Sequence, residues 1–363
     1  MGLVLTASCG RLGFPDQTLA CDTPTRFQVG ASAFTAITVV DTTTGFAMFT
    51  TGADKVVRGW TFDFEGSQLV PTLQNVPLAT SETGAIGAAS SGSELMLSAM
   101  YGMPATGTSL LGLDDRLATL GQDKHDGELA ATNPVVNTSD GFAFATVDKT
   151  SFQVDMRPVT AMGVDVTPAV RIISGSEKPN NVTIAAAGPG YVVAYTASAP
   201  NPKQDRLELL DASFNVVYGP VTTSNSTHDA YRPQVTWAPK SDSYLVAWHE
   251  KDATGSDVVW IQIRGWNLEA VGEPTVIANH SVSPQVTTDG TGFWVTWKNT
   301  TTVPSFLESA HIAPDGTLVP HSITNSGGAP GQWTMLSRSV QPVLVWTETG
   351  GSGPDLYFDA RCN

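Results

Sequence analysis

Seven stretches of this chain share one hydropathy pattern, a small or polar residue followed by an alternating apolar and aromatic run. They are Gly45-Phe46-Ala47-Met48-Phe49, Gly92-Ser93-Glu94-Leu95-Met96-Leu97, Gly141-Phe142-Ala143-Phe144-Ala145, Gly190-Tyr191-Val192-Val193-Ala194-Tyr195, Ser243-Tyr244-Leu245-Val246-Ala247-Trp248, Gly292-Phe293-Trp294-Val295-Thr296-Trp297 and Gln341-Pro342-Val343-Leu344-Val345-Trp346. Alternating runs of this length read as strands. The runs recur about every 49 residues, a spacing that means one supersecondary unit copied along the chain. No long stretch carries the 3.6-residue period of a helix.

The unit is most legible in the C-terminal half. Arg232–Trp237, Tyr244–Trp248, Val258–Arg264 and Pro274–Ile277 read as four successive strands. The next unit repeats them with Ser283–Val286, Phe293–Trp297 and Leu307–Ile312, followed by the turn Pro314-Asp315-Gly316-Thr317. Asp-Gly between alternating runs signals a hairpin, because both residues tolerate the positive φ of tight turns. The fold class expected is all-β: a seven-bladed β-propeller of four-stranded antiparallel blades, which leaves only short edges exposed. Phe49, Tyr195, Trp248, Trp297 and Trp346 are expected to share one register and to fill the space between blades.

The chain ends complete this picture. The last unit supplies a third strand, Leu356–Cys362, and its fourth is available as Thr23–Val29 near the N-terminus. An N-terminal strand would then complete the last blade and close the ring. Cys362 would end one strand where Cys21 begins the other, and a disulfide between them would replace the missing turn. The third cysteine, Cys9, follows an apolar run and small residues (Gly2–Ser8), as in a bacterial lipoprotein signal, although Thr6 stands where such signals usually carry Leu. Residues 1–21 are therefore expected to be a leader and tether lipidated at Cys9, and 22–363 a single propeller domain.

Composition narrows the function. The 363 residues carry a formal net charge of −15, which offers no basic surface for nucleic acid or for anionic lipid headgroups. No segment has the ~20 apolar residues of a membrane span, so membrane contact is expected only through a lipid on Cys9. Thr, Ser, Gly and Val are abundant, which suits strands and tight turns.

From Pro233/Val235/Trp237, Tyr244–Trp248, Ile261/Ile263, Pro284/Val286, Phe293–Trp297 and Asp315/Gly316, the chain resembles the seven-bladed propeller repeats of bacterial envelope and secreted proteins. The resemblance covers about residues 22–362 and is weakest in the first three units. It implies an exported protein, either an outer-membrane lipoprotein or a periplasmic or extracellular one, and it brings no catalytic residues with it.

Motifs for chemistry are sparse. There is no nucleophile elbow, metal-binding helix, paired Cys-x-x-Cys or EF-hand loop, and neither a cofactor nor a metal is expected. Candidate ligand-binding residues lie in the expected connections between units and between second and third strands: His125, His228, Asp229, His249, Glu250, Asp252 and His280. The first reading is a non-enzymatic, monomeric binding or scaffold module for an envelope protein or a glycan. The alternatives are a glycosidase-like enzyme with carboxylates near the central channel, and a lectin with several equivalent sites.

Overall fold

The computed structural model describes residues 25–28, 34–52, 56–65, 68–79, 86–101, 107–126, 128–129, 135–148, 150–224, 227–321, 323, 328–337, 342–350 and 353–360. Cys9, Cys21 and Cys362 lie outside the described residues, and so does the expected leader.

The described strands form seven antiparallel sheets. Each of the seven patterned runs falls in the second strand of its sheet: Gly45–Gly52, Glu94–Tyr101, Gly141–Val147, Gly190–Ala197, Ser243–Lys251, Phe293–Asn299 and Val343–Gly350. Those strands are apolar on both faces because both faces are covered. Gly190–Ala197 is buried at every position, whereas the fourth strand of the same sheet, Val216–Thr222, is exposed at almost every one.

Five sheets are consecutive four-stranded meanders. In the third sheet by chain order, Glu128–Leu129 and Val135–Thr138 both pair with Gly141–Val147, at opposite ends of it. The remaining sheet joins the chain ends. Ala329–Leu336, Val343–Gly350 and Gly353–Ala360 are followed in space by Thr25–Gln28, with Thr25 opposite Phe358 and Gln28 opposite Asp355. The strand expected to complete the last unit is thus in place.

The first strands Phe34–Asp41, Ile86–Ser90, Val135–Thr138, Pro179–Ala187, Ala230–Ala238, Ser281–Thr288 and Ala329–Leu336 touch in succession, and the last returns to the first. Four of them carry the same interruption, a register shift at Asn180/Thr183, Tyr231/Gln234, Val282/Gln285 and Pro330/Trp333. The extra residue is left-handed at Asn181 (φ 49°), Arg232 (φ 54°) and Ser283 (φ 54°). A bulge of this kind turns the strand and re-aims its side chains. Across two of them, Arg232 Nη1 donates to Ser283 Oγ at 2.8 Å.

The core lies between neighbouring sheets. Trp248 packs with Val192 and Ala194 of the preceding sheet, Trp297 with Val259 and Ile261, and Trp346 with Leu307. Tyr195 likewise meets Ala143 and Ala145 before it. Phe49 departs from the expected common register. It packs with Ala47 against Leu95 and Leu97 of the following sheet, because it falls one strand position earlier than Tyr195. Period-two alternation makes that single step a change of face.

Candidate functional site

One face of the ring is built from two kinds of connection that lean on each other. The segments entering the first strands Pro179–Ala187, Ala230–Ala238 and Ser281–Thr288 are held by main-chain bonds from the end of the second strand or the loop after it: Ser198 N to Glu177 O, Lys251 N to Asp229 O and Thr300 N to His280 O. Around the sheet Ala230–Asn279, Asp229 accepts from Lys203 N (2.8 Å, to Oδ1) and from the Tyr231 hydroxyl (2.9 Å, to Oδ2). One unit on, Thr300 N donates to His280 O at 2.8 Å. Gly328 N reaches Glu348 Oε2 at 3.3 Å.

The sequence-derived candidates distribute unevenly over this face. His228, Asp229 and His280 do lie in entering connections; His280 is exposed with φ 52°. Asp252 organises the loop after Lys251, accepting from Thr254 N and Ser256 N. His249 and Glu250 were expected in that loop, but they are buried residues of the strand Ser243–Lys251. His125 is not in a connection at all. It sits in the fourth strand Thr119–Asp126, buried, with Nε2 3.0 Å from Gly163 O and Nδ1 3.4 Å from Asp165. The structure brings Asp229 and His249 together around Tyr231, whose ring stacks on His249 at 5.5 Å with the Lys203 ammonium 4.9 Å from its centroid. Burial holds His249 down to about 4, so its ring is neutral at pH 7.

A set of acids stands behind the core aromatics; Glu250 was among the sequence-derived candidates, whereas Glu177, Glu208 and Glu308 were not. An indole N–H taken into a core needs an acceptor. Trp248 Nε1 donates to Glu250 Oε1 (2.8 Å) and Trp346 Nε1 to Glu348 Oε1 (2.9 Å), two residues along on the same strand face. Trp297 Nε1 donates instead to Glu308 Oε2 (2.8 Å), on the neighbouring strand. In the sheet Pro179–Thr222 the aromatic is Tyr195, which lies beside both Glu208 and Glu177. One more acid has no such role. Asp205 is fully buried, takes a hydrogen bond from Thr196 Oγ1 (2.6 Å) and leaves Oδ2 without a partner. Burial pushes its carboxyl well above the usual carboxylate range, and the nearby Glu250 adds to the effect.

Beside these acids a cleft of about 740 Å³ opens between the fourth strand Ala270–Asn279 and the next sheet. Its apolar wall includes Trp297 and Phe306, and its polar groups include Asn279, Asn299, Glu308 and His321. Glu308 Oε2 is held by Trp297 Nε1 and by Asn299 Nδ2 (3.0 Å), which fixes the carboxylate in the cleft wall. Glu308 is the one carboxylate among the described residues lining the cleft. Nowhere among the described residues do three or more His, Cys, Asp and Glu side chains gather as a metal site would require.

No family model and no curated protein matches this chain. Solved structures do. The polysaccharide lyase Uly1 superposes with a TM-score of 0.58 at 11% identity, covering 90% of this chain and 89% of that one. The β-propeller domain of the Trilobed protease from Pyrococcus furiosus superposes with a TM-score of 0.52 at 11% identity, covering 91% and 95%. The fold is a β-propeller. Its blades are four-stranded and antiparallel, and at this identity the likeness extends to the fold alone. No helix among the described residues is long and apolar enough to cross a membrane.

Proposed function

We propose that this propeller is a binding module that takes a neutral glycan into the cleft walled by Trp297, Asn299, Phe306 and Glu308. The carrying observation is the pairing, in one concave site, of the half-buried Phe306 ring, backed by the buried Trp297, with a carboxylate whose orientation is fixed by two donors. Sugars present C–H faces to aromatic rings and hydroxyl donors to carboxylates and amides, and sites of this mixed lining are where ligands seat. A net charge of −15 disfavours an anionic chain. A paired-carboxylate glycosidase needs a second acid ~5–9.5 Å from the first; among the described residues lining the cleft, Glu308 is the one carboxylate. Fold likeness to a polysaccharide lyase is compatible with a glycan ligand and gives no reaction.

The architecture that goes with this reading is a seven-bladed closed ring, exported and tethered through a lipid on Cys9. Two observations support the closure. The first strands contact one another in a complete circuit, and the terminal strand pairs so that residue numbers sum to 383 at every rung. Were that register to continue past Thr25 and Phe358, position 21 would stand opposite position 362, and this is the ground for proposing a Cys21–Cys362 disulfide. A glycan array with the full chain and with Glu308→Gln tests the binding role. Binding of a neutral glycan weakened at least tenfold by Glu308→Gln is expected. No binding, equal binding by both, or release of cleaved product would overturn the reading.

A further inference from the structure

Tyr195, Glu177, Glu208 and Arg206 form a proton-counted chain away from the cleft. The Tyr195 hydroxyl lies 2.6 Å from Glu177 Oε2 and 2.9 Å from Glu208 Oε1. A phenol has one hydrogen and can donate to one of these oxygens only. The other contact is a hydrogen bond only if the carboxyl itself brings a proton. Tyr195 is fully buried, and burial together with the two acids pushes its own ionisation upward, so the phenol stays protonated.

The surroundings decide which acid holds the extra hydrogen. Glu177 pairs with the Arg206 guanidinium, and its side chain is 22% exposed. Glu208 is 5% exposed and its Oε2 has no partner. The titratable and charged groups acting on Glu208 are Tyr195 on the second strand, Glu177 on the entering connection and Arg206 on its own strand.

We propose that Glu208 is a neutral acid donating to the Tyr195 oxygen while Tyr195 donates to Glu177, so that one proton latches the entering connection of this blade to its second and third strands. The connection is the short 3-10 turn Gly175–Glu177. Its main chain is held at the same place, since Ser198 N and Ala199 N donate to Glu177 O at 2.9 and 3.0 Å. Loss of the Glu208 proton leaves two carboxylates facing one hydroxyl. The Glu177 side chain is then repelled, and the turn with its loop partner at Ser198–Ala199 loosens. Consistent with this geometry, burial raises the Glu208 carboxyl to about 7. The folded-state value lies above the ordinary 4.5, so the latch is complete in acid and is lost as pH rises through about 7.

The experiment is amide hydrogen exchange of Ser198 and Ala199 between pH 5.5 and 8.5, corrected for intrinsic exchange, in the wild-type chain and in Glu208→Gln. Glutamine keeps a donor toward Tyr195 and cannot ionise. Wild-type protection is expected to fall at least fivefold across the interval, while that of the variant stays constant. Parallel loss in both, or no loss in the wild type, overturns the latch. If the variant fails to fold, infrared titration of Asp205→Asn, which removes the other carboxyl that burial raises, decides: an acid C=O band that disappears near pH 7 supports the proposal, and its absence at pH 6 refutes it.

Discussion

Asp205 stands where the next two blades carry apolar residues. It pairs with Thr196, as Val259 pairs with His249 and Leu307 with Lys298 at the same rung. Val259 and Leu307 are buried at 0% and 1% exposure, and the fold therefore tolerates an apolar side chain at this register position. In this blade the position holds a carboxyl with one oxygen satisfied by Thr196 and one orphaned. An unsatisfied buried polar group costs about 1–3 kcal/mol, whereas replacing both partners of a buried pair by apolar groups of similar shape is close to neutral or stabilising. The double variant Asp205→Leu with Thr196→Val removes the orphan and leaves no unpaired hydroxyl behind. It is expected to be more stable than wild type at pH 7 by about 1–3 kcal/mol. For a chain of 363 residues, the typical unfolding entropy per residue makes this a rise in Tm of about 1–4 °C.

The same reasoning fixes the pH dependence of that difference. The folded-state value of Asp205 is raised above the ordinary 3.8, so the folded protein holds a proton that the unfolded chain releases as pH rises above that value. Wild-type stability falls with rising pH on this account, and the advantage of the double variant should shrink as the pH is lowered toward 4. Calorimetric or fluorescence-detected melting at pH 4, 5.5 and 7 provides the comparison. A double variant less stable than wild type at pH 7 would refute the reasoning, because the carboxyl would then be contributing stability through a partner.

Three further outcomes follow from other parts of the ring. His249 is held near 4, below its ordinary 6.5, so its neutral form stabilises the fold above pH 6.5 and that contribution is lost as pH falls toward 4; His249→Phe should flatten this acid limb of a Tm–pH curve. At Gly112 an added Cβ would lie 1.7 Å from Ala161 O, which belongs to the backbone and has no flexible end to yield. Gly112→Ala should therefore cost about 1–3 kcal/mol, measured as a Tm lowered by a few degrees. Thiol counting by mass spectrometry on oxidised, denatured protein should find the Cys21 and Cys362 peptides joined. Cys21→Ser should lower stability, by up to about 5 kcal/mol in the chain-entropy account of so long a loop.

Much of the fold was legible because strand burial writes a period-two pattern. All seven runs became second strands, and the N-terminal strand pairs with the last unit, which lacked a fourth. Phe49 shows the limit of that signal: hydropathy does not distinguish a face toward the preceding blade from one toward the following blade when both are apolar. The site was less legible. Turn residues such as His228, Asp252 and His280 were conspicuous because they are local and polar, yet most of the acids that matter sit inside apolar strands, Glu177 in its 3-10 turn being the exception. Glu308 meets Trp297 across a strand pair, and Glu177 meets Glu208 through Tyr195 over 31 positions of chain. Such partners are set by register and by blade packing, which a linear reading of spacing does not contain. Glu250 and Glu348 carried a usable clue, since each stands two residues after a Trp at the end of a buried run.

The pairing of Thr25–Gln28 with Gly353–Ala360 has a mechanical consequence. Both chain ends leave this ribbon at the same end, beyond the rung of Thr25 and Phe358. Tension applied between the termini therefore peels the strands apart rung by rung, so that each hydrogen bond carries the whole load in turn. Shearing would have divided the load among them. A four-residue seam loaded in this way is the weakest point of the ring under force, and a covalent link between positions 21 and 362 would take the strain before the first rung felt it.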